Sequence, residues 1–106
     1  MQRSCLEAIM IIKGTKDPLQ SGRISYDFKG EQVKLNHFVV RIMASDNPFK
    51  PHKHEKEEVW YIIDGTAVYL REGKEHEVEG GDLIHIKPWV EHGLSTLSRT
   101  TWICLG

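Results

Sequence analysis

Glycine and proline break this chain into short runs of strand-forming residues at intervals of about ten. "QVKLNHFVVRIMA" (Gln32 to Ala44) runs into the turn cluster "SDNPFKP", and "EEVWYIID" stops at Gly65. "TAVYLRE" then resumes and meets "EGKE", where Gly73-Lys74 suits the two central positions of a type II′ hairpin. "EHEVE" ends at Gly80-Gly81, "DLIHIK" runs into Pro88, and "TTWICL" follows near the C-terminus. Only "SCLEAIM" carries a weak helical pattern. Many short strands without a competing helix imply an all-β architecture, an antiparallel sandwich or barrel.

At 106 residues the expectation is one domain spanning 1–106. A chain of this size buries roughly 65% of its unfolded surface, enough for a core without staples. Net charge is −1 with both signs interspersed, so no electrostatic footprint for nucleic acid or an anionic membrane is expected. The longest apolar runs, "AIMII" (Ala8 to Ile12) and "VWYII" (Val59 to Ile63), fall far short of the roughly 20 residues that cross a bilayer. Arg3 precedes a stretch bracketed by Glu7 and Lys13, too short for the apolar region of a signal peptide. Cys5 and Cys104 are therefore read as reduced thiols, and the expected compartment is the cytoplasm.

The stretch "KPHKHEKEEVW" (Lys50 to Trp60) concentrates metal-type donors. On a strand, His52 and His54 would project from one face, about 7 Å apart along the chain, close enough for two imidazoles to converge on an ion. Glu58 would lie about 13 Å beyond His54 in a fully extended chain, so a shared ion requires a bend within Glu55 to Glu57. Glu58, Trp60 and Ile62 then share one face of the next strand. His92, after the loop at Pro88, is available as a fourth donor. Three imidazoles and one carboxylate suit Fe, Mn, Ni, Co, Cu or Zn and poorly suit Ca or Mg. Four such ligands close a tetrahedral site but leave two positions open on an octahedral ion. The competing reading of "KHEKEE" is a solvated turn with incidental histidines.

"HKHEKEEVWYIIDG" resembles the first motif of the cupin superfamily, G(x)5HxH(x)3-4E(x)6G, with ligands at His52, His54 and Glu58 and the closing glycine at Gly65. "GDLIHIKPWVEHGLST" resembles the second, G(x)5PxG(x)2H(x)3N, with Gly81 opening it and His92 as the metal histidine. Both occur in order, separated by the 15 residues between Gly65 and Gly81, as in a compact single-domain cupin. The departures are Asp46 at the first glycine position, Lys87 and Trp89 at the proline and glycine positions of the second motif, and Thr96 at its asparagine. None removes a ligand.

The resemblance implies a double-stranded β-helix, or jelly-roll β-barrel, holding one divalent transition metal through His52, His54, Glu58 and His92. Residues 31–106 would form the barrel with both motifs. Residues 1–30 would carry an N-terminal strand in dimer contact, since "AIMII" is apolar on both strand faces and cupins commonly pair through such strands. The implied function is a metal-dependent reaction on a small oxygenated molecule, of oxygenase, decarboxylase or isomerase type. The alternatives are a non-catalytic binding or sensor cupin and a metal-stabilised scaffold. Trp60, Trp89 and Arg41 are the candidate pocket residues, against readings as core, barrel-end cover and exposed arginine. His85 is expected on the opposite strand face from the site, His37 and His76 as surface or sheet residues, and Glu91 in solvent.

Overall fold

The computed structural model describes residues 11–28 and 35–106. Those residues form nine antiparallel strands: β1 (Thr15–Lys16), β2 (Arg23–Ser25), β3 (Phe38–Ala44), β4 (Phe49–His52), β5 (Glu58–Arg71), β6 (Lys74–Glu79), β7 (Leu83–Ile86), β8 (His92–Ser95) and β9 (Arg99–Leu105). There is no helix among them. They make a curled all-β sheet in the jelly-roll manner. "SCLEAIM" and Ala8 to Met10 lie outside the described residues, and Ile11 and Ile12 precede β1 in non-strand backbone.

The architecture turns on β5. Its first half lies between β9 and β7, and its second half between β8 and β6, so one 14-residue strand belongs to both layers. The two runs expected to be separate strands are therefore continuous through Gly65. The pairing with β9 slips between Ile62 and Asp64, and Gly65 takes φ +96°. A Cβ on Gly65 would stand 2.2 Å from the Arg99 carbonyl oxygen, so the corner requires a residue without one. The carbonyl of Thr66 just beyond it accepts hydrogen bonds from the hydroxyls of Thr96 and Thr100, both at 2.7 Å. Thr96, at the motif's asparagine position, thus braces the strand corner.

The alternation of strand side chains builds the core. Trp60 and Ile62 on β5, Ile84 and Ile86 on β7, and Trp102 and Cys104 on β9 point inward, while Tyr61, Ile63, Leu83 and His85 point out. Trp60 and Trp102 are fully buried, with ring centroids 4.2 Å apart. Phe49 packs edge-on against both.

Two local expectations are corrected. Arg71 pairs with Lys74, which makes Glu72 and Gly73 the central turn residues, both at positive φ (50° and 80°). That is the type I′ pattern, one residue earlier than expected, and its twist matches that of the flanking strands. The cluster "SDNPFKP" is not all turn, because its second half enters β4. Pro51 has no N–H to give a ladder, and it is tolerated because β4 is, among the described residues, an edge strand paired only to β8.

Gly65→Ala should place an alanine in the left-handed region, costing about 1–2 kcal/mol, and add the clash with Arg99. At roughly 4–8 °C per kcal/mol the melting temperature should fall by at least about 5 °C. Gly73, at φ +80° with nothing within 4 Å of an added Cβ, is the control: Gly73→Ala pays only the backbone cost. Equal Tm losses in thermal melts of the two variants would remove the close approach at Gly65 as the reason for that glycine.

Candidate metal centre

The strand ladder assembles the histidines. His52 closes β4 and His92 opens β8, and the two are direct cross-strand partners with ring centroids 4.5 Å apart. His54 follows two residues later, outside the strand, with its ring 5.2 Å from that of His52 and 4.9 Å from that of His92. One ligand atom from each of the three lies within 4.8 Å of the others. The chain then bends at Glu55 and Lys56, as the spacing requires, and Glu58 opens β5. Glu58 Oε2 comes 3.5 Å from His54 Nε2, and its Oε1 4.0 Å from His92 Nε2. The Trp60 indole N–H donates to Oε1 at 3.1 Å and so orients the carboxylate.

Hydrogen bonding sets which nitrogen is free. His92 is fully buried, and its Nδ1 lies 2.8 Å from the Val90 carbonyl, to which it must donate. Its Nε2 is thereby a bare lone pair, buried and without a hydrogen-bond partner among the described residues. Leaving such an acceptor unmet costs about 1–3 kcal/mol, which a metal bond would recover. His52 Nδ1 faces the Lys50 carbonyl at 3.3 Å, freeing its Nε2 in the same way. Burial holds the His92 imidazole below its usual range, against the opposing pull of the Val90 carbonyl. Neutral imidazoles and an ionised carboxylate are the forms that ligate a divalent transition metal, so the donor set fits one.

The loop before His92 departs from the motif at Lys87 and Trp89 but keeps a usable shape. Trp89 takes φ +63°, a conformation that glycine adopts freely and a large side chain adopts at a cost of about 1–2 kcal/mol. Its backbone N–H donates to the His54 carbonyl at 2.8 Å, tying this loop to the segment that carries His54. The indole itself is 61% exposed.

A cleft of about 540 Å³ opens onto His52, His54 and Glu58, with Arg41 and Phe49 in its wall. The Arg41 guanidinium stacks 4.8 Å from the Phe49 centroid and 5.8 Å from that of Trp102, and donates to Gln20 Oε1 at 3.3 Å. Burial, then neighbouring Arg23, lowers its pKa from the ordinary arginine value. Trp60 does not line the cleft. Its indole sits beneath Glu58 in the core, the placement that its reading as a core residue expects. Trp89 likewise lies outside the cleft wall, fixing the loop through its backbone.

His85 points away from the site, as its strand parity requires, and pairs with Glu57 on the outer face. His76 is exposed on β6, beside Tyr69. Sequence reasoning passed over two cleft residues, His37 and Cys104. The signal was parity: Cys104 alternates with the inward-facing Trp102, and His37 with Val39 and Met43. Cys104 is a free thiol, 8% exposed, pushed up to about 12 by burial and then by the Glu58 charge.

The His92 shift has a sign that can be measured. Its folded pKa lies below the reference value of 6.5, so the unfolded chain takes up this proton more readily. The His92 contribution to stability is complete above about pH 6.5 and is lost as pH falls from there toward the folded pKa. Thermal melts of chelator-treated protein from about pH 7.5 to 5 should show Tm declining below about 6.5, with a shallower decline in His92→Gln. Parallel profiles for the two proteins would remove His92 as the source.

The family model described as "Cupin domain" matches residues 38–106. Among solved structures, an RmlC-like cupin from Shewanella frigidimarina is similar with a TM-score of 0.70 and 20% identity, over 89% of this chain and 81% of that one. A predicted oxalate decarboxylase from Thermotoga maritima is similar with a TM-score of 0.70 and 17% identity, over 91% and 96%. The DMSP lyase DddQ from Ruegeria pomeroyi has a TM-score of 0.60 and 24% identity, over 65% of this chain and 36% of the enzyme. No curated protein sequence matches. With both histidine motifs inside the matched residues and the strands curled as in these relatives, the chain belongs to the cupin family.

Proposed function

We propose that this cupin holds one divalent transition metal (Fe, Mn, Ni, Co, Cu or Zn) through His52, His54, His92 and Glu58, and acts on a small oxygenated molecule. The observation that carries this reading is the buried, unpartnered Nε2 of His92, converging with His52 and His54 beside the Glu58 carboxylate. When bound, the metal would supply Lewis acidity or oxygen activation of the oxygenase, decarboxylase or isomerase kind.

The protein's part is binding and orientation. The cleft is small, which favours a compact substrate. Phe49 in its wall packs edge-on against the buried Trp60 and Trp102, which gives that side of the cleft an apolar backing. Arg41, pinned over Phe49 and Trp102, offers a guanidinium to a carboxylate or similar anionic group. The description of the Thermotoga relative as a predicted oxalate decarboxylase, a name that implies a small carboxylate, is consistent with an anionic substrate here.

One variant series tests the centre. His54→Ala should lose metal, with affinity falling by more than the roughly 10–100-fold typical of a lost supporting contact. His85→Ala should keep parental metal content, because it faces outward. The metal assignment is wrong if elemental analysis finds as much metal in His54→Ala as in the parent. In the same series, Arg41→Gln should retain metal but bind oxalate about 10- to 100-fold more weakly, since a charge-assisted hydrogen bond is worth about 1.5–3 kcal/mol. Unchanged oxalate affinity would show that Arg41 is not the anchor.

A further inference from the structure

The cleft contains a second group of donors, of which His37 and Cys104 are left unused by the first centre and Glu58 is common to both. His37 Nε2 lies 3.2 Å from Cys104 Sγ and 3.5 Å from Glu58 Oε2. One ligand atom from each of His37, Glu58 and Cys104 falls within 4.8 Å of the others. All three line the same cleft as His52 and His54.

The group is built on rigid backbone. Cys104, on β9, is paired to Val39 of β3 on one side and to Trp60 of β5 on the other. Glu58 opens β5. His37 immediately precedes β3 and is held by two backbone hydrogen bonds with Gly106, at 3.0 and 3.2 Å. Adjoining strands of one sheet thus deliver a thiol, a carboxylate and an imidazole to one point. As core packing alone this placement gains little, because a buried thiol normally sits among apolar groups and not against an imidazole and a carboxylate.

Glu58 connects the two groups. Its Oε1 accepts the Trp60 N–H and faces His92, while its Oε2 lies 3.5 Å from both His54 and His37. One oxygen is therefore oriented toward the histidine triad and the other lies between the two sets. We propose that the cleft takes two metal ions: beside the ion of the histidine triad, a second divalent cation of the zinc type held by His37, Cys104 and a bridging Glu58. Thiolate, imidazole and carboxylate are zinc and cobalt(II) donors and unsuitable for magnesium or calcium. On binding, the Cys104 S–H bond breaks, its proton passes to solvent, and a sulfur–metal bond forms without redox change. His37 contributes the Nε2 lone pair and keeps its proton on Nδ1. The thiolate and the shared carboxylate offset two of the four positive charges that the two dications carry. The proposal rests on the histidine-triad reading through the shared Glu58.

Cobalt(II) titration tests it, with Cys5→Ser as parent so that Cys104 is the sole thiol. The parent should bind two equivalents and develop a strong near-ultraviolet thiolate-to-cobalt charge-transfer band along with the visible ligand-field bands. Cys104→Ser and His37→Ala should each drop to one equivalent, with Cys104→Ser losing the near-ultraviolet band while the visible bands of the histidine triad remain. Should either variant fail to fold, the parent spectrum and its stoichiometry decide alone. One equivalent in the parent, or two without the charge-transfer band, overturns the second site. One equivalent showing only the visible bands leaves the histidine triad standing, whereas no cobalt bound overturns both readings.

Discussion

The structure depends on the close approach of Gly65 to the backbone of β9. One strand must run through both layers of a curled sheet, and it can change layers only where its backbone bends against a neighbour without a side chain between them. At Gly65 the Arg99 carbonyl occupies the space a Cβ would need. The hydroxyls of Thr96 and Thr100 secure the Thr66 carbonyl just past the corner. With that corner in place, the first half of β5 brings Glu58 to the cleft and the second half pairs with β8, which carries His92. The carboxylate and the most deeply buried imidazole are therefore joined through a single bent strand.

Burial then determines what those donors do. His92 gives up all solvent, and its hydrogen bond commits one ring nitrogen to Val90. The cost of the bare second nitrogen is the physical argument for a metal, stronger than the closeness of three histidines alone. Glu58 is held differently. It is oriented by an indole that belongs to the core, so Trp60 acts on the site from beneath it and not as part of its wall. Arg41 is likewise oriented by aromatic faces and Gln20, which keeps a cation pointed into a cleft that already contains carboxylates.

Sequence by itself determined the all-β class, since Gly and Pro punctuation and strand periodicity are local properties. It also offered His52, His54, Glu58 and His92 as candidate donors from their motif spacing, and the fold brings the three imidazoles together with Glu58 beside them. Strand parity correctly sent His85 outward and Trp60 inward. Tertiary structure decided the rest, for reasons of cross-strand pairing. The same inward parity that suggested a pocket role for Trp60 places it under Trp102, at a depth that no local pattern reports. The turn at Glu72-Gly73 follows from the register of β5 against β6, and β4 exists because β8 supplies its partner. His37 and Cys104 are 67 residues apart and meet only because β3 and β9 are neighbours in the sheet. A contact of that range is created by the closing of the sheet, so the short-range pattern of the chain does not contain it.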